Sequence, residues 1–174
     1  MAKQYSSPPA MQIDPNKRYT ATFHTEKGDF VVDLFAKDAP LTVNNFVFLA
    51  REHFYDGTTF HRVIPDFMAQ GGDPTGTGTG GSKLPDLPAE FTTKRKFLRG
   101  TCGAARTSNP NSANSQFYIM FAPAPHLDGQ YTIWGQVVQG MEFVDQLKRG
   151  SGSGGTVSNP DRIVHMRVAA DVKG

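Results

Sequence analysis

The stretch that most constrains the fold runs from Phe60 to Asp73, Phe-His-Arg-Val-Ile-Pro-Asp-Phe-Met-Ala-Gln-Gly-Gly-Asp. Pro65 presets φ and Asp66 favours a turn, so the stretch predicts two short strands folded back on each other. It closes on Gly71-Gly72, where the backbone can bend or let another chain come close. Strand alternation puts Arg62 on the face of Phe60 and Ile64, with His61 and Val63 opposite, and puts Met68 and Gln70 on one face. Taken by itself, an Arg in a strand is more often a solvated or ion-paired surface residue than a catalytic one. A long cation embedded in an apolar run is nevertheless unusual enough to mark the stretch.

The rest of the chain repeats the theme of short strands and sharp turns. Residues 1–17 read as a flexible or loosely docked arm, and 18–174 as one domain. Tyr19–Thr25 and Phe30–Phe35 form a hairpin about the turn Glu26–Asp29. A helix follows, with Asp38 as a capping residue and Pro40 in its first turn. Val43, Phe46, Val47 and Ala50 make its apolar stripe, and Asn44, Asn45 and Arg51 fall on the wet side. Thr101–Thr107, Ser115–Phe121, Gln130–Val138 and Arg162–Ala170 read as strands, with a further short strand near Glu90-Phe91. Gly140–Leu147 reads as a short helix with Met141, Val144 and Leu147 inward, and Gly150–Gly155 as a flexible loop. Parallel βαβ alternation is absent. The expected fold is all-β dominated, a closed antiparallel barrel with its ends plugged by helices, since closure removes exposed edges.

Composition narrows the function classes. With 174 residues the chain can bury one real core. A net charge of +2 offers no nucleic-acid surface, and the Lys94-Arg95-Lys96 run with Arg99 reads as a solvated loop. The single cysteine, Cys102, excludes an intrachain disulfide and multi-cysteine zinc sites. His24, His53, His126 and His165 are scattered without metal-ligand spacing, so no metal is expected. Residues 1–16 lack the apolar core of a signal peptide, and no run is long enough to cross a bilayer. A cytoplasmic protein is expected. Gly76-x-Gly78-x-x-Gly81 satisfies a dinucleotide fingerprint literally, but Leu84-Pro85-Asp86-Leu87-Pro88 cannot begin the helix that fingerprint needs. A tightly turned loop beside a groove, with backbone amides free to meet a bound peptide, fits better.

Three separated blocks carry a family resemblance. Phe60–Asp73 resembles the signature of the cyclophilins, the cyclosporin-binding class of peptidyl-prolyl isomerases. Asn-Pro-Asn-Ser-Ala-Asn-Ser-Gln-Phe at 109–117 resembles bacterial members, and Leu127-Asp128-Gly129 with the strand after it resembles a third block. The resemblance runs from Tyr19 to the C-terminus. It implies an eight-stranded barrel with two helices, working without metal or cofactor on proline-containing peptides and unfolded segments, and assisting folding. Arg62 would be the catalytic cation. Phe67, Met68, Tyr118 and Leu127 would line the proline pocket, and Gln70 would steady Arg62 or the substrate carbonyl. The backbone of Ala105, Arg106 and Thr107 and the side chain of Gln116 would contact the peptide, while Phe117 would point into the core. Three positions depart from familiar members. Tyr118 replaces a Phe, and its hydroxyl needs a partner. His126 replaces a Trp important for cyclosporin, and Tyr131 replaces a His lining the site. Weakened cyclosporin affinity is therefore expected.

The implied chemistry suits an arginine. Rotation about a peptide bond faces about 18–20 kcal/mol because the nitrogen lone pair is delocalised. A fixed cation that donates to that nitrogen is favoured only in the twisted state, which is selective transition-state binding. Arg stays protonated and presents a rigid fork of donors. Two rivals remain at this point. A peptide-binding module on the same barrel could do without Arg62. A hydrolase using His61 with Asp66 or Asp73 lacks a recognisable nucleophile. A monomer suffices for every reading.

Overall fold

The computed structural model describes residues 9–171. Eight strands form one antiparallel sheet: β1 (Arg18–Thr25), β2 (Gly28–Leu34), β3 (Arg62–Ile64), β4 (Met68–Gly71), β5 (Thr101–Ala104), β6 (Phe117–Met120), β7 (Ile133–Gln139) and β8 (Ile163–Asp171). The helices are α1 (Pro40–Arg51) and the single turn α2 (Met141–Val144). The β1–β2 hairpin pairs Phe23 with Phe30, and the β3–β4 hairpin pairs Arg62 with Gln70. The β3–β4 turn closes through Phe67 N–H to Ile64 O, with Asp66 left-handed at φ 62°.

The expected closed barrel is corrected to an open sheet. Strand order is β3-β4-β6-β5-β7-β2-β1-β8, and its end strands share no ladder. The reason lies in the glycine-rich segment before β8, which occupies the free edge of β3. Val63 N–H donates to Gly155 O at 2.8 Å, Gly150 N–H to Val63 O at 2.8 Å, and Val157 N–H to His61 O at 3.1 Å. Among the described residues the seam is crossed by isolated bridges, Thr59 with Arg162 and Arg62 with Thr156, and by single backbone bonds such as Phe60 N–H to Asp161 O, with no continuous ladder. Covering an edge with a loop protects it as closure would. A Cβ on Gly155 would stand 2.6 Å from the Ile64 side chain, so this approach requires glycine.

Helix α1 departs from the sequence reading twice. Its first turn is capped from far along the chain, by Glu90 and not by Asp38. Leu41 and Thr42 N–H donate to the Glu90 carboxylate at 3.0 and 2.7 Å, and the Thr42 hydroxyl adds a third bond at 2.6 Å. A carboxylate there satisfies orphan donors and complements the helix dipole. Asp38 instead takes Arg95 at 2.5 Å, while that guanidinium lies over the Phe35 ring. Asn44 and Asn45 are buried, not wet. Asn44 accepts from Gln12 N–H and donates to Ala10 O, and Asn45 donates to Asn114 O. A chain segment therefore covers the polar side of the helix through polar side chains, which hydrophobic periodicity cannot register. In the expected arm, residues 1–8 lie outside the described residues, and Ile13 is buried against the core. The segment around Glu90-Phe91 is irregular, and α2 ends at Val144, with Leu147 still buried beyond it.

Two apolar clusters flank the sheet. The interior one centres on Phe117, whose ring meets Phe23, Phe46, Tyr55, Phe60 and Trp134 edge-on. The outer one gathers Met68, Phe97, Tyr118, Met120 and Ile133, with Ile64, Phe67, Leu127 and Tyr131 half-buried against it. Alternation holds along β6, where Phe117 and Ile119 face in and Tyr118 and Met120 face out. It fails before β3. Phe60 packs in the interior cluster, not on the face of Arg62, because regular pairing begins only at Arg62.

Candidate active site

The β3–β4–β6 ladder puts Arg62, Gln70 and Tyr118 in adjacent register. Arg62, Phe67, Met68, Gln70, Ala105, Arg106, Tyr118, Leu127 and Tyr131 line one cavity of about 230 Å³. Beside it lies a larger groove of about 600 Å³, lined by Gly78 to Ser82, Thr107 and Gln116 among others, and sharing Gln70, Ala105 and Arg106 with it. Gln116 and Thr107 therefore sit in the groove and not in the smaller cavity. His126 lies at the rim, exposed, its ring stacked 6.0 Å from Phe67. Phe117 points away, into the core.

The Arg62 guanidinium is held at two points. Its Nε donates to Gly154 O at 2.9 Å and its Nη1 to Gln70 Oε1 at 3.0 Å. Gln70 Nε2 donates to Gln116 Oε1 at 2.8 Å, and Gln116 Nε2 reaches the carbonyls of Gly78 and Gly80 at 3.0 and 2.8 Å. Among the described residues Arg62 Nη2 has no hydrogen bond. A planar cation fixed at two points with donors to spare is set up for an acceptor entering the cavity.

The chain of amides ends on Asp73, which organises the glycine loop. Its Oδ1 accepts the Thr75 N–H and hydroxyl, both at 2.8 Å, and its Oδ2 accepts Gly78 and Gly80 N–H at 2.6 and 3.2 Å. Burial pushes this carboxyl up, but the donors from Thr75, Gly80 and Gly78 outweigh it and hold the carboxyl below the usual range. The amides of Gly78 and Gly80 are thus turned inward. They are not free to meet a peptide as the sequence suggested, and it is their carbonyls that face the site.

Tyr118 is buried at 5% exposure, and among the described residues its hydroxyl has no hydrogen-bond partner. Burial first, and the neighbouring Tyr131 second, push the phenol up. Its ring fits because Gly103 lies beneath it, where a Cβ would come within 2.6 Å of Tyr118 Cζ. Phe97 stacks on it at 5.7 Å and Tyr131 meets it edge-on at 5.7 Å. Arg106 lies 4.4 Å over Tyr131 and is tied to Gln130 O and Thr107 O. The general-base reading of His61 gains no support. The ring is buried, neither nitrogen makes a well-formed hydrogen bond among the described residues, and burial pushes its pKa down. Cys102 is fully buried and its thiol is pushed up by that burial, so it is no nucleophile.

Two site residues escaped the sequence reading. Gly154 supplies the carbonyl on Arg62, from a run read as a flexible loop. The Gly154-Gly155 pair carried the same sign of close backbone approach as Gly71-Gly72. Phe97 supports Tyr118 from within a connector that has no periodicity to read.

Comparison with known proteins agrees with this geometry. The family model for cyclophilin type peptidyl-prolyl cis-trans isomerase/CLD matches residues 20–168. A probable peptidyl-prolyl cis-trans isomerase of Brucella suis is 48% identical over 176 residues, covering 94% of this chain and 88% of the relative. A peptidyl-prolyl cis-trans isomerase of Arabidopsis thaliana is 41% identical, covering 83% and 86%. The crystal structure of a cyclophilin type isomerase from Cryptosporidium parvum superposes with a TM-score of 0.82 at 30% identity, covering 88% of this chain and 99% of that one. A second structure of that protein was determined in the presence of the dipeptide Ala-Pro. This chain belongs to the cyclophilin-type peptidyl-prolyl cis-trans isomerases, and its activity is rotation about X-Pro peptide bonds.

Proposed function

We propose that the cavity beside Arg62 grips the substrate proline ring while Arg62 stabilises the twisted amide. The observation that carries this reading is the fixed guanidinium on the wall of a cavity of about 230 Å³ that Phe67, Met68, Tyr118 and Leu127 also line. Phe67, Met68, Tyr118 and Leu127 hold the pyrrolidine, and Gln70 and Gln116 hold Arg62 in place. The peptide on either side of the proline runs past Ala105, Arg106 and Thr107 into the larger groove. As the C–N bond twists, the nitrogen recovers its lone pair and becomes an acceptor for an N–H of Arg62. No covalent bond forms and no proton is transferred. Substrates are proline-containing peptides and flexible segments, whose uncatalysed exchange takes about tens to hundreds of seconds. The structure of the Cryptosporidium relative determined in the presence of the dipeptide Ala-Pro supports this class. The same reading has the enzyme work as a monomer, since no role assigned to a residue calls for a second chain.

NMR exchange on an unstructured Ala-Pro peptide tests the assignment. Arg62→Ala is expected to lower kcat/KM by about 10²–10³-fold, as for loss of one transition-state donor, with the circular dichroism spectrum unchanged. Undiminished exchange by the variant would remove Arg62 from the mechanism. The same reading includes weak cyclosporin binding. The exposed His126 and the Tyr131 ring beneath Arg106 stand where familiar members offer Trp and His. A titration giving a nanomolar Kd would overturn that part.

A further inference from the structure

Histidines that look scattered in the sequence meet in the fold. His53 follows α1, Asp56 lies three residues on, and His165 sits in β8. The Nδ1 atoms of His53 and His165 both lie 3.2 Å from Asp56 Oδ2. One ligand atom from each residue falls within 4.8 Å of the others. The two imidazoles are stacked, with centroids 5.8 Å apart, and His24 stacks on His165 at 5.9 Å. His24 has its own carboxylate, Asp29, at 3.0 Å.

The platform under this cluster is rigid. Gly57 N–H donates to Ile163 O and Ile163 N–H to Thr58 O, stitching the turn after α1 to β8. Asp56 is oriented by a second bond, from Met166 N–H to Oδ1 at 3.3 Å. His53 holds φ 61°, a left-handed position after a helix that usually falls to glycine or asparagine. A His there is uncommon and sets the ring toward Asp56.

We propose that His53, Asp56 and His165 form a three-ligand site for a divalent transition metal ion of the zinc class. Bonds of about 2.0–2.2 Å at tetrahedral angles separate ligand atoms by roughly 3.3 Å. Both His–Asp separations, at 3.2 Å, are close to that value, and with all three ligand atoms within 4.8 Å of one another a turn of the His53 side chain would complete the set. Two imidazoles and one carboxylate suit zinc, copper or nickel, and do not suit magnesium or calcium, which take oxygen ligands. The Asp56 carboxylate offsets part of the ion's charge, and the exposed ring of His53 leaves the fourth position to water. None of the three residues lines the isomerase cavity. The bound ion would clasp the end of α1 to β8 and stabilise the native state by mass action, not take part in turnover.

Calorimetry and thermal unfolding of the untagged, metal-stripped full chain with zinc chloride test the site, with magnesium chloride as the contrast. The expected result is one zinc per chain at micromolar affinity, a rise in Tm with zinc and none with magnesium. His165→Ala and Asp56→Asn should each weaken zinc binding by about tenfold or more. His53→Ala, at an exposed side chain, gives the same reading should either of those variants fold poorly. With cobalt in place of zinc, the visible band of a tetrahedral site should appear in the parent and vanish in the variants. No zinc binding at 100 μM, or binding that survives His53→Ala unchanged, would overturn the proposal and leave the cluster as a hydrogen-bonded pair on one carboxylate.

Discussion

Strand β6 presents Phe117 and Ile119 to the interior cluster and Tyr118 and Met120 to the outer one, and the two sides follow different rules. Inside, every ring around Phe117 is buried, and the Tyr55 hydroxyl in their midst donates to Ser115 O at 3.1 Å. Outside, Phe67, Leu127 and Tyr131 stay half-exposed around an open cavity, and among the described residues the Tyr118 hydroxyl has no partner. Around Phe117 the interior maximises burial and pairs the one hydroxyl among its rings, although farther off Asn45 Oδ1 and the His61 ring are unpaired among the described residues. The outer face gives up both to keep a concave surface and a chain of amides leading to Arg62. Four residues of one strand thus divide between holding the fold together and shaping the site.

The largest effect that separates the two sides is expected at Phe117. Phe117→Ala should cost about 3–5 kcal/mol in urea unfolding, the range for deleting a buried aromatic. Leu127→Ala at the cavity rim should cost clearly less, because no closed void is left. Equal costs would erase the distinction between packed core and site wall.

A smaller effect of opposite sign is expected one residue along. Tyr118→Phe removes a buried hydroxyl without a partner and keeps the ring over Gly103. Stability should rise by about 1 kcal/mol. A loss instead would show that the hydroxyl is satisfied, and that the outer cluster obeys the interior's rule after all.

His61 gives the smallest and most graded test, since it is the interior's own exception. Burial holds the folded imidazole below its ordinary pKa, aided by Arg62 and opposed by Asp73. The unfolded chain therefore binds a proton more readily than the native one. Stability from this residue is full above about pH 6.5, the unfolded value, and declines as pH falls below it toward the folded value. Urea midpoints between pH 7.5 and 5.5 should fall less steeply for His61→Phe than for the parent. Parallel slopes would show that the folded ring protonates freely.

Much of the fold and site was legible because the relevant signals are local. The Pro65-Asp66 turn and the β-rich runs beside it yield the β3–β4 hairpin within a dozen residues. The same run carries Arg62, Phe67, Met68 and Gln70, so the resemblance of one ungapped block brings much of the cavity with it. Asn44 and Asn45 show where such reading stops. Helical spacing places them on a polar face, but whether water or another segment covers that face depends on chain far away. Asp38 misled for a related reason. It stands where a local cap belongs, yet Glu90 supplies a carboxylate with better reach to the Leu41 and Thr42 amides.

By itself, then, the amino-acid order determined the strand pattern and the antiparallel hairpins, and the resemblance of its blocks pointed to the family and to Arg62 as the proposed cation. The strands and hairpins follow from turn residues and side-chain alternation, which act over a few neighbours, and the family from ungapped blocks of sequence. The tertiary structure alone decided that the sheet stays open with a glycine-rich loop along β3. It also decided that Gly154 O and Gln70 hold Arg62, and that His53, Asp56 and His165 share a corner. Each of these joins groups far apart in the chain through hydrogen bonds or facing side chains, and such pairings exist only once the core has brought their backbones together.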